Sequence, residues 1–268
     1  MTGRAHDVDG VRLAVLERGT GAPVLFEHGL CGDALQPAEV FPLQAFRCLT
    51  VECRGHGGSG AGDPQHFRIA TFCDDIARYL DRRRLGPLTI GGISMGAAIA
   101  LRLAVVRPDL VKALILARPA WTTEAAPENM RPYALIGDLL ATFPAAEARR
   151  RFELSATARE FAQRAPANLA SLRSFFAREP QTTTAALLSR ISADGPGVSR
   201  AQVRALDVPA LVIAHDRDLV HTLDVANELA ALIPGARLAV ISAKADDNAR
   251  YVEDFRAALR AFLAELTA

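Results

Sequence analysis

The sequence predicts an α/β fold: a mostly parallel eight-stranded sheet with helices on both faces and a helical lid inserted after the sixth strand. Three features of the 268-residue chain point to it. From residue 6 to about 118, short apolar runs of strand length alternate with helix-patterned segments and glycine-rich turns, as parallel strands joined by crossover helices require. From about 120 to 200 the strand signal vanishes, and helical segments punctuated by Pro127, Pro132, Pro144, Pro166, Pro180 and Pro196 take its place. The strand signal then returns with Ala210 to Ala214 and Leu238 to Ile241.

In chain order, Val8 and the run Val11 to Leu16 flank Asp9-Gly10, a two-residue hairpin signal. Further strands are expected at Val24 to Phe26, Cys48 to Val51, Leu88 to Ile90 and Ala113 to Leu116, with a helix of small and apolar residues at Ala97 to Val106. In the insertion, Met130 to Ala141, Ala145 to Phe161 and Leu169 to Ala177 read as amphipathic helices. Leu223, Ala226, Leu229 or Ala230 and Ile233 mark a helix between the last two strands. Tyr251, Phe255, Leu259, Phe262 and Leu266 share one face of the closing helix. The chain thus divides into a core, 1–119 and 200–268, and a helical cap, 120–199. Ligands of such sheets bind at the carboxyl ends of the strands, the edge the cap is expected to cover.

Composition narrows the function. Thirty-one basic against 30 acidic residues give a formal net charge of +1, which argues against a nucleic-acid binder. No stretch approaches 18 uninterrupted apolar residues, and the polar first ten residues do not read as a signal peptide, so neither a membrane span nor export is expected. Cys31, Cys48, Cys53 and Cys73 form no CxxC pair and fit reduced thiols of a cytoplasmic protein rather than a zinc site or disulfide framework.

The strongest chemical signal is Gly92-Ile93-Ser94-Met95-Gly96, a G-x-S-x-G run between a strand and a helix. There the serine sits on a sharp turn with its hydroxyl presented at the sheet edge. His28-Gly29-Leu30 follows the strand Val24 to Phe26. A backbone N–H of that loop, with the N–H of Met95, makes a two-donor oxyanion hole. His28 shapes its own loop, with proton transfer or substrate binding as its alternatives, and His56, in Glu52-Cys53-Arg54-Gly55-His56-Gly57-Gly58-Ser59, reads as a turn residue.

In this order the motifs resemble the α/β-hydrolase superfamily, in its lidded esterase, lipase and peroxidase-like branch. The likeness rests on His28-Gly29, Arg54-Gly55-His56-Gly57, Gly92-Ile93-Ser94-Met95-Gly96 and Val208-Pro209-Ala210-Leu211-Val212-Ile213 leading to Asp218. It implies Ser94 as nucleophile, the N–H groups of Leu30 and Met95 as oxyanion donors, and Asp218 as the acid after the seventh strand.

The general-base histidine of the family belongs after the last strand, where this chain reads Ser242-Ala243-Lys244-Ala245-Asp246-Asp247-Asn248, and no histidine follows His221. Three solutions stand open. His221, three residues past Asp218, swings toward Ser94; His215, at the end of the seventh strand, takes the role; or no histidine does. With either histidine, Asp246 or Asp247 is a further candidate for the orienting carboxylate. His221 has the greater reach and is favoured; pairing with Asp218 is the obstacle, since it could hold the ring away from Ser94.

On the substrate side, Arg118 and Trp121 leave the sixth strand at the site edge. Arg118 is placed to clamp a carboxylate or to pair with a local acid, and Trp121 to line a pocket or pack the hinge of the insertion. Met130, Tyr133, Leu135, Ile136 and Phe143 make a small, apolar acyl, ester or lactone substrate the expectation, with no metal or organic cofactor implied. Serine hydrolysis through an acyl-enzyme is the leading reading. A non-hydrolytic ligand-binding protein on the same scaffold and an acyl transferase or lyase remain as alternatives.

Overall fold

The computed structural model describes residues 2–266. Eight strands form one sheet: β1 (Thr2–Val8), β2 (Val11–Arg18), β3 (Pro23–Glu27), β4 (Arg47–Val51), β5 (Leu88–Ile93), β6 (Val111–Ala117), β7 (Ala210–Ala214) and β8 (Arg237–Val240). Their spatial order is β1-β2-β4-β3-β5-β6-β7-β8. β1 and β2 form an antiparallel hairpin with Val8 opposite Val11, and β2 is antiparallel to β4; every other pair is parallel. The chain leaves β3 toward β4 on one side and returns to β5 on the other. The crevice at the carboxyl ends of β3 and β5 is therefore the topological switch point where ligands of such sheets bind.

The central strands alternate between two cores. Leu114, Leu116, Val212 and Ala214 face one layer; Ile115, Ala117, Leu211 and Ile213 face the other. Eleven helices occur among the described residues. Outside the stretch between β6 and β7 they are α1 (Leu35–Val40), α2 (Ile69–Arg83), α3 (Met95–Val106), α10 (Leu223–Leu232) and α11 (Asn248–Glu265). α2, α3 and α10 cover the first face through Phe72, Ile76, Ile99, Leu103 and Leu229. On the second face lie α1 and α11, where Val40, Tyr251, Phe255, Leu259 and Phe262 are buried. Each such side chain contributes about 2 kcal/mol by leaving water.

Between β6 and β7 the chain is helical: α4 (Arg131–Thr142), α5 (Ala145–Glu153), α6 (Ala156–Arg164), α7 (Pro166–Ser174), α8 (Gln181–Ser192) and the short α9 (Arg200–Arg204). The stretch expected as one helix from Ala145 to Phe161 is two. Ser155 breaks it and caps α6 by accepting from the Ala158 N–H at 3.1 Å. No helix among the described residues is long and apolar enough to cross a membrane.

Candidate active site

Ser94 stands between β5 and α3 with φ 57° and ψ −110°, a left-handed conformation that side-chain-bearing residues rarely adopt. Its N–H donates to Ala117 O at 2.9 Å, and its own carbonyl accepts the first bonds of α3. The flanking glycines allow strand and helix to cross this closely. A Cβ on Gly92 would lie 2.6 Å from the carbonyl carbon of Gly96, and one on Gly96 would lie 2.6 Å from Glu27 O. Ser94 is 6% exposed and borders a cavity of about 190 Å³ at the switch point.

His221 Nε2 lies 2.8 Å from Ser94 Oγ, and His221 Nδ1 lies 2.9 Å from Asp218 Oδ2. The pairing that threatened to hold the ring back coexists with contact to the serine. The reason is local. Asp218 Oδ1 accepts from the N–H groups of Val220 and His221 at 3.0 and 2.9 Å, so the loop folds into a turn that carries the ring back over the carboxylate. Two tethers from the helical segment fix this turn: Asn168 Oδ1 accepts from the Leu219 N–H at 2.9 Å, and Asn129 Nδ2 donates to Val220 O at 2.5 Å. Asp246 and Asp247, the other candidate carboxylates, lie elsewhere. Asp246 pairs with Arg217 at the surface, and Asp247 caps α11. His215 is buried on Tyr251 with Nε2 3.6 Å from Asp218 Oδ2.

Arg118 leaves β6 with φ 44° and reaches Asp218 Oδ2 with Nε and Nη2, at 3.1 and 2.5 Å. Burial alone would raise the Asp218 carboxyl, but His221, Arg118 and the turn hydrogen bonds hold it well below the usual carboxylate range. Burial lowers His221, Asp218 opposes that and Arg118 adds to it; the net shift is downward, so the ring is neutral at pH 7. Burial and Arg118 push His215 down to about 4. A neutral His221 with Nδ1–H donating to Asp218 leaves the Nε2 lone pair to accept the Ser94 hydroxyl.

Leu30 borders the cavity from the loop after β3, and Met95 opens α3 with its side chain in the core. His28 does not reach the cavity. It is fully buried; Nδ1–H donates to Gly29 O at 2.8 Å and Nε2 accepts from the Cys53 N–H at 3.1 Å. His56 mirrors it: Nδ1–H donates to Arg54 O at 3.0 Å and Nε2 accepts from the Cys31 N–H, also at 3.0 Å. The two rings clasp the loops after β3 and β4, and burial keeps both neutral. Glu27, His28 and Cys53 approach as a buried trio within 4.8 Å, but both His28 nitrogens are committed, and burial raises the carboxyl and the thiol toward their protonated forms.

Trp121 is likewise not a cavity residue; its indole N–H donates to Asp194 O at 2.9 Å and its ring is buried at the start of the inserted segment. Of the apolar residues expected to line the pocket, only Tyr133 does; Met130 and Ile136 pack in the core. Sequence reasoning missed the polar lining: Asn168 and the exposed Ser171 and Ser174 of α7, with Gln36 of α1. Asn168, Ser171 and Phe175 follow i, i+3, i+7 spacing, which places them on one helix face. Arg118 borders the same space.

The sequence matches the model of the alpha/beta hydrolase fold family over residues 22–246. A Mycobacterium tuberculosis protein provisionally named non-heme bromoperoxidase BpoC is 34% identical over 110 residues, 40% of this chain. The 2-(acetamidomethylene)succinate hydrolase of Mesorhizobium japonicum is 29% identical over 114 residues, 42% of this chain. Each match spans only 41% of the relative's own length. Among solved structures, the enol-lactonase of Burkholderia xenovorans superposes over 97% of this chain and 100% of that one, with a TM-score of 0.73 and 25% identity.

Proposed function

The chain belongs to the alpha/beta hydrolase fold family, and from that premise we propose that it is a serine hydrolase cleaving a small ester, thioester or lactone through an acyl-enzyme on Ser94. One observation carries this reading: the continuous line from Asp218 Oδ2 through the His221 ring to Ser94 Oγ, with contacts of 2.9 and 2.8 Å. His221 Nε2 takes the hydroxyl proton as Oγ bonds to the substrate carbonyl carbon and the carbonyl electron pair moves onto oxygen. The N–H groups of Leu30 and Met95 stabilise that oxyanion. Collapse of the intermediate breaks the bond to the leaving oxygen or sulfur, which takes the proton back from His221. Water then repeats the sequence on the acyl-enzyme. In a lactone the leaving oxygen stays attached to the acyl chain.

Residues 120–199 act as the lid of this site. Tyr133, Asn168, Ser171, Ser174 and Phe175 border the cavity, and Arg178 Nη1 donates to Cys31 O beside the oxyanion loop. At about 190 Å³ the cavity is smaller than a drug-sized site and suits an acyl group of a few heavy atoms. Its polar wall favours an acyl part that carries oxygen over the wholly apolar one expected from the sequence. The name of the enol-lactonase adds weight to the lactone alternative.

Turnover of p-nitrophenyl acetate by the intact protein, compared with Ser94→Ala, is the test. The parent is expected to release nitrophenol catalytically and the variant only at background. Equal rates would end the proposal. An alkyl acetate formed in added alcohol, at the expense of acetate, would redirect it to acyl transfer.

A further inference from the structure

Arg118 borders the cavity beside Ser94 and His221. It is half-buried against the carboxylate that backs the base, with its side chain 16% exposed. Both Nε and Nη2 converge on Asp218 Oδ2, the same oxygen that accepts from His221 Nδ1, and Nη2 comes within 3.1 Å of Nδ1 itself. Three donor nitrogens therefore share one carboxylate oxygen. The backbone takes up a left-handed φ of 44° at Arg118, a conformation that side-chain-bearing residues rarely adopt. Arg118 N–H is itself held by Ile213 O at 2.6 Å, which ties the end of β6 to β7 just before His215.

We propose, building on the serine-hydrolase reading, that Arg118 is a positioning residue that sets the basicity of His221 by taking up part of the Asp218 charge. A carboxylate shared with a guanidinium stabilises an imidazolium less than one facing the ring alone, and the guanidinium also repels the imidazolium directly. Arg118 thereby weakens His221 as a base but keeps it deprotonated to lower pH. It also holds Oδ2 in line with Nδ1. The groups that face this ring are Asp218 on its own loop, Arg118 from the end of β6, His215 from the end of β7, Ser94 from the elbow and Tyr133 from α4. Tyr251 of α11 packs on His215 and interacts with Arg118. Of these only Asp218 and Arg118 carry charge at pH 7: burial keeps His215 neutral, and it raises the Tyr133 phenol above its ordinary value.

The test is a histidine-ring NMR titration of the intact protein, with His221 assigned by its loss in His221→Gln. In Arg118→Met, and in Arg118→Gln should the first fail to fold, the His221 pKa is expected to rise by about one unit or more. Arg118→Lys, which keeps the charge, is expected to stay near the parent. An unmoved His221 in a folded, charge-free variant would overturn the proposal, as would an equal rise in Arg118→Lys. A merely structural role for Arg118 changes stability without moving this titration. The readout needs no turnover: an inactive parent would defeat the serine-hydrolase reading and leave the titration to decide the role of Arg118.

Discussion

The loops after β7 and β8 rise from neighbouring parallel strands at the same edge of the sheet, yet only the first brings ionisable side chains to Ser94. After β7, His215, Asp218 and His221 are all buried. After β8, Lys244, Asp246 and Asp247 are exposed and engaged with Glu39, Arg217 and the first turn of α11. Carboxylate and imidazole three residues apart on one loop need no second loop to approach. Their geometry is set by a local turn through Asp218 Oδ1 and by two asparagines that anchor the turn to the inserted helices. The price of this economy is dependence on the anchors: a loop that supplies both partners loses both when it shifts.

The largest effect short of removing serine or base is expected from Asp218→Asn. An amide cannot stabilise the imidazolium, and its NH2 group opposes the tautomer that leaves Nε2 free, so kcat should fall by about two orders of magnitude or more. A loss under about fivefold would mean that the loop after β7 does not work as a unit. Asn168→Leu strands the Leu219 N–H and loosens the turn; kcat/KM is expected to drop by about tenfold, with a stability cost of about 1 to 2 kcal/mol. Unchanged kinetics would show the turn to be self-sufficient.

A stability effect separates the site histidines from the clasp beneath them. His28 and His56 each accept a backbone N–H through Nε2, which requires the neutral ring, and burial holds both pKa values below the ordinary 6.5. The unfolded chain therefore binds more protons than the folded one as pH falls through 6.5. Their contribution is complete above that pH and is lost progressively below it, toward the folded values. His56→Asn is expected to cost about 2 kcal/mol at pH 8 and to flatten the decline between pH 7 and 5, measured by urea midpoints. The smallest effect belongs to the loop after β8. Asp247→Ala removes a helix cap worth about 1 kcal/mol and should leave kcat/KM unchanged. A large kinetic loss there would return the orienting carboxylate to that loop.

What the sequence made legible follows the range of the interactions. The β5–Ser94–α3 elbow could be read because Gly92 and Gly96 pack against each other and against Glu27, a constraint compressed into five residues. β6 and β7 could be read as strands because each is a short continuous apolar run, but which core each residue faces was not. His28 could not be placed, because its partner is an N–H 25 residues away that spacing does not encode. Asn168 was missed because a polar helix residue is expected to face water, whereas α7 buries it against the Leu219 N–H; Ser171 borders the cavity while staying exposed, so nothing in its spacing marks it. His221 could be reached because it lies beyond the end of the seventh strand, three residues past Asp218, with more reach than His215. The Asx turn that lets it hold Asp218 and Ser94 together is a matter of backbone geometry that residue identities alone leave open.

The most direct test of that arrangement is the rate at which a fluorophosphonate modifies Ser94 at pH 8 in the parent, His221→Gln and His215→Gln, read by intact mass. The reagent reports activation of the hydroxyl without any assumption about the natural substrate. His221→Gln is expected to slow modification by about two or more orders of magnitude, and His215→Gln to leave it within a few-fold of the parent. Parent-like modification of His221→Gln, or a collapse confined to His215→Gln, would contradict His221 as the base.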